Sequence, residues 1–95
     1  MAEEKPGSVF TSRDVEHVII WLGHRVDDIE QGRVERARGD LASMWTAERK
    51  IVPTPLREVM ADEVARARIA LSEHPPDLAV AASALRQAIR LLTVL

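Results

Sequence analysis

From Val15 to Ile51 apolar side chains recur at helical spacing, and nowhere in the chain do they alternate as in a strand. The series runs Val15, Val18, Ile19, Leu22, Val26, Ile29, Ala37, Leu41, Met44 and Ile51. At about 100° per residue these positions stay inside one broad stripe, the pattern of a helix with a single dry side. Arg33 falls in the middle of the stripe with the wrong chemistry. Charges of opposite sign at Arg25 and Asp28, Glu30 and Arg33, Glu35 and Arg38, and Arg36 and Asp40 stand three or four apart, within reach across one helical turn. Gly32 and Gly39 pull the other way, since each weakens a helix by up to about 1 kcal/mol relative to Ala. The stretch reads as one long first helix, bent at Gly32 or Gly39, with two helices meeting near one of those glycines as the alternative.

Punctuation sets the remaining boundaries. Residues 1–10 carry two adjacent acids and the breakers Pro6, Gly7 and Ser8, and read as a flexible leader before a single helical domain over 11–95. Thr11 or Ser12 supplies an N-cap, with Asp14 and Glu16 at the positive end of the helix dipole. Pro53 disfavours helix in the residue before it, and Thr54 followed by Pro55 opens a second helix running to about Ser72. Its stripe is Leu56, Val59, Met60, Val64, Ala67, Ala70 and Leu71, with Asp62 and Arg66 paired on the wet side. The run "SEHPPD" ends it. A last helix starts near Pro76 or Asp77, with the stripe Leu78, Ala81, Ala82, Leu85, Ile89 and Leu92. The fold class is therefore all-α: a long first helix and two shorter antiparallel ones.

A length argument adds an expectation of pairing. A continuous helix over residues 12–50 would be about 58 Å long at 1.5 Å per residue. A compact domain of this size is roughly 34 Å across. Two later helices of roughly 30 Å each cannot cover such a rod. Either it breaks and folds back as a four-helix bundle, or a second copy covers it. The stretch "EHVIIWLGH" favours the second option, because it is apolar all round between two histidines seven positions apart. On a continuous helix His17, Trp21 and His24 share the face opposite the main stripe, and Ile20 lies nearby. Leu91, Val94 and Leu95 make the C-terminal turns equally apolar. These seven residues form the expected interface, Trp being enriched at such surfaces for its large apolar area and single donor.

Composition narrows the chemistry. There is no Cys, hence no disulfide framework or thiolate chemistry, and the cytoplasm is the expected compartment. No apolar run reaches the ~18 residues needed to span a membrane. The formal net charge is −2, whereas a chain gripping duplex nucleic acid shows a basic excess, so a nucleic-acid-binding regulator is only a third reading. His17 and His24, two turns and about 10 Å apart, do not chelate one ion by themselves, and neither a metal nor another cofactor is expected.

One motif suggests an enzyme instead. "TPLRE", residues 54–58, resembles the D-P-x-R-E start of the second helix in the small all-helical chorismate mutases, and Ser83 with Gln87 echoes that family's S-x-x-x-Q. The resemblance implies an intertwined dimer of one long and two shorter helices that rearranges chorismate to prephenate without a cofactor. It would place Arg57, Glu58 and Gln87 on the substrate, with Lys50 and Arg38 as cationic candidates. Thr54 stands where the family has Asp, and Lys50 is closer to Arg57 than the family spacing. The primary reading is a non-catalytic interaction or regulatory module that works through helix surfaces as a homodimer or with a protein partner. The mutase-type enzyme is the alternative.

Overall fold

The structure is a computed structural model and describes residues 11–43 and 54–95. The leader over 1–10, and Met44, Trp45, Lys50 and Ile51, lie outside the described residues. The described residues form four helices and no strand: α1 (Ser12–Glu30), α2 (Val34–Ser43), α3 (Thr54–Leu71) and α4 (Leu78–Thr93).

The first amphipathic stretch is two helices, and the break falls at Gly32. Gln31 is the C-cap of α1, and Gly32 takes the left-handed conformation at φ 80°. The Gly32 N–H donates to the Ile29 carbonyl at 3.0 Å, and the Arg33 N–H donates to the Asp28 carbonyl at 2.8 Å. These two bonds constitute a Schellman ending, in which a left-handed residue lets the chain turn back and satisfy the last carbonyls. Gly39 sits inside α2 with negative φ and interrupts nothing. The break at Gly32 removes the rod. With 19 residues α1 is about 28 Å long, close to the lengths of α3 and α4, so helices of the same chain can cover it.

The remaining boundaries follow local chemistry. Thr11 caps α1 in a reciprocal box: Asp14 N–H donates to Thr11 Oγ1 at 3.2 Å, and Thr11 N–H to Asp14 Oδ2 at 2.9 Å. Asp77 caps α4 by accepting from the Val80 N–H at 3.1 Å. Its own N–H reaches back to the Ala70 carbonyl at 2.9 Å and ties the α3–α4 turn shut. The two helices pack along their lengths as an antiparallel hairpin. On its other side α4 packs against α1, also antiparallel, while α2 folds back to touch both α1 and α3.

The buried apolar side chains form one contiguous cluster. Its members include Val18, Leu22, Val26 and Ile29 of α1, Ala37 and Leu41 of α2, and Leu56, Met60, Val64, Ala67, Ala70 and Leu71 of α3. From α4 come Ala81, Ala82, Leu85 and Leu92, together with Ala84 and Ala88, which the expected stripe omits. Ala84 and Ala88 are buried because α4 has neighbours on two sides, so its dry arc is wider than a single stripe. The expected Asp62–Arg66 pair is replaced by Glu63–Arg66 at 3.4 Å, with Glu63 largely buried and Asp62 exposed.

Candidate interaction surface

Where the first turns of α1 meet the last turn of α4, the bundle leaves apolar side chains uncovered. The antiparallel pairing brings Val15, Ile19 and Ile20 alongside Leu92 and Leu95 around a shallow, open groove, edged by Ser12, Glu16 and Thr93. Ile20 is 54 % exposed, Leu95 56 % and Val94 82 %. Of the seven residues expected at an interface, the fold thus puts Ile20 and Leu95 on one groove, with Val94 next along the chain. His17 and His24 are exposed on α1, and Leu91 is half-buried on α4.

Trp21 behaves differently from its neighbours. Its ring is half-buried against the edge of the core, and the Arg25 guanidinium lies 4.8 Å from the ring centroid. Helical spacing put Trp21 opposite the dry stripe, and it remains one turn from both histidines. Its cover, however, comes in part from its own chain.

Arg25 is also the hub of an ionic cluster at the α1–α2 corner. Its Nε lies 3.1 Å from Asp28 Oδ2, and its terminal nitrogen Nη1 lies 3.0 Å from Asp40 Oδ2 across the corner. Arg33 Nε donates to Asp28 Oδ1 at 2.9 Å. Asp28 is buried, which pushes its carboxyl upward. The Arg33 hydrogen bond and the charges of Arg25, Arg33 and Arg36 outweigh that burial and hold it below the usual carboxylate range. The Arg25–Asp28 and Glu35–Arg38 pairs match the sequence spacing, the latter at 2.6 Å. Two others are redistributed: Asp40 pairs with Arg25, and Glu30 pairs with Arg86 of α4. The sequence signal for the corner was Arg33 itself, the residue that did not fit the stripe.

The residues the mutase resemblance points to are spread over the bundle. Arg38 is tied to Glu35 and borders a concavity with Arg68, Ile69 and Ser72 near the end of α3. Arg57 lies near the start of α3, eleven residues and about 16 Å along the axis from Arg68. Gln87 is half-buried on α4 and its side-chain oxygen accepts from Arg90 at 3.4 Å, Glu58 is exposed, and Lys50 lies outside the described residues. Among the described residues, the concavity that Arg38 borders is lined from α3 by Ala65, Arg68, Ile69 and Ser72 and not by Arg57, and α1 and α2 stand where the resemblance implies a single long helix.

Among the described residues no three His, Asp or Glu side chains gather in a way that could hold a metal ion. None of the described helices is long and apolar enough to cross a membrane. The class that the described residues define is an all-helical arrangement of four helices, with an apolar groove where α1 begins and α4 ends. The chain matches no protein-family model, no curated protein and no solved structure with which it was compared.

Proposed function

We propose that this protein is a non-catalytic helical interaction or regulatory module that associates through the outer face of α1 and the end of α4, as a homodimer or with a protein partner. The observation that carries the reading is the grouping of Ile20 and Leu95 on one open groove, with Val94 beside it and all three more than half exposed. Exposed aliphatic side chains that cluster, rather than scatter singly, mark association surfaces. A stable interface covers about 800 Å² on each partner, so the contact would extend from the groove along α1 over His17, Trp21 and His24, and along α4 over Leu91. Half-buried Trp21, with its ring anchored by Arg25, supplies the rigid aromatic element that such surfaces favour.

The test is mass by light scattering across a wide concentration range. Wild type is expected as a dimer, and Ile20→Asp as a folded monomer. Ile69→Asp on α3, even more exposed but on another helix, should remain a dimer. A wild type that stays monomeric at high concentration and retains no protein partner on the Ile20 face overturns the reading.

A further inference from the structure

The outward face of α1, opposite its buried stripe, carries its side chains in a telling order. At about 100° per residue, Arg13, Glu16, Ile20, His24 and Asp27 lie within about 40° of one direction, with His17 and Gly23 just outside them. All seven are exposed. Among the described residues Arg13, Glu16 and His24 engage in no ion pair or side-chain hydrogen bond. The Asp27 carboxylate meets Arg33 at 3.9 Å, with its own side chain 63 % exposed.

The order is symmetric about Ile20. Seven residues, about 10 Å along the axis, separate it from Arg13 on one side and from Asp27 on the other. Four residues, about 6 Å, separate it from Glu16 and from His24. Three separate it from His17 and from Gly23, and Gly23 has nothing within 4 Å of the place where a side chain would begin. Each feature thus has its complement at the same distance on the opposite side: a cation for an anion, an imidazole N–H for a carboxylate, a ring for a gap. A face built this way matches its own reverse.

We propose that the partner is a second copy of this chain, and that the two α1 helices pair antiparallel about a two-fold axis at Ile20. This rests on the association reading and supplies its partner and register. Ile20 then meets Ile20 of the partner subunit. Arg13 lies level with the partner's Asp27, Glu16 with the partner's His24, and His17 with the partner's Gly23. Parallel helices would instead set Arg13 beside the partner's Arg13 and Asp27 beside the partner's Asp27. A slip of three residues would bring Glu16 beside the partner's Asp27. Exposed ion pairs contribute little affinity, but like charges side by side reject the wrong arrangement. Affinity comes from covering Ile20 and, through the groove it shares with Leu95, the apolar end of α4.

The chain has no Cys, so single cysteines report the arrangement. Ile20→Cys should oxidise to a disulfide-linked dimer at concentrations where Ile69→Cys on α3 does not. Arg13→Cys alone should not link, because antiparallel copies hold the two positions about 21 Å apart. A mixture of Arg13→Cys with Asp27→Cys should link. By light scattering Asp27→Arg should weaken dimerisation about tenfold, and Arg13→Asp added to it should restore the wild-type affinity. A dimer that links through Arg13→Cys alone, or not through Ile20→Cys, overturns the proposal and leaves the association reading standing. So does a double charge variant no tighter than Asp27→Arg. A monomeric wild type that retains a protein partner on the Ile20 face overturns the second-copy assignment alone, and one that retains none overturns both.

Discussion

Arg33 holds Asp28 twice: its backbone N–H donates to the Asp28 carbonyl at 2.8 Å, and its Nε donates to the carboxylate of the same residue at 2.9 Å. In a Schellman ending the corresponding two residues usually touch through apolar side chains. Here an ion pair takes that place, and Arg25 and Asp40 extend it across the corner.

Substitutions at the two glycines of this region should have opposite signs. Gly32→Ala meets no steric obstacle but must hold a left-handed φ of 80°, at a cost of about 1–2 kcal/mol. Gly39→Ala also enters open space, within a regular helix, and should stabilise by up to about 1 kcal/mol. Urea denaturation of the two variants measures both. A Gly32→Ala protein as stable as wild type would contradict the assigned turn.

Asp28 should confer an acid dependence on stability. Its carboxyl sits below the ordinary value of about 3.9 when folded, so its ionised form favours the native state. The contribution is complete above about pH 4 and is lost as pH falls through the lowered folded-state value. Asp28→Asn should cost about 2–3 kcal/mol at neutral pH, discounted for the partial exposure of Arg33, and should flatten the acid limb of the profile. Urea titrations from pH 2 to 6 on both proteins check the size and the sign.

Trp21 should report on Arg25. In a Trp45→Phe background, Arg25→Ala removes the guanidinium 4.8 Å from the ring and lets water approach it. The expected result is a red shift of the folded-state emission with helicity retained. Unchanged emission would mean that the stacking does not persist in solution.

The close packing of α4 can be tested through its alanines. Ala84→Leu and Ala88→Leu insert bulk where no surface is exposed, and each should cost about 1–3 kcal/mol. Ser83→Leu on the exposed side should change stability by less than about 0.5 kcal/mol. Thermal or urea unfolding separates the two sides of the helix.

Much of the fold is legible because burial follows helical periodicity. Val18, Leu22, Val26 and Ile29, then Leu56, Met60 and Val64, are dry where the spacing predicts. The place of the break was only half legible. Gly32 and Gly39 have equal helix propensities, and what separates them is an event beyond propensity, the fold-back that brings Asp40 to Arg25. The same event hides the burial of Asp28, since the i,i+3 spacing names a partner without revealing that a second helix covers the pair. At the groove the sequence supplied Ile20 and Leu95 separately, each as part of an apolar girth. Only the antiparallel packing of α1 on α4 puts them together.

The position of α4 between α1 and α3 carries a consequence for synthesis. The ribosome makes α1 before α4, and the helix that packs along it begins only at Leu78, some fifty residues after α1 has ended. At about 5–20 residues per second, Val18 and Leu22 wait several seconds for that cover. The nascent chain therefore exposes an adhesive helix until α4 emerges, and it is during this interval that a chaperone has most to protect.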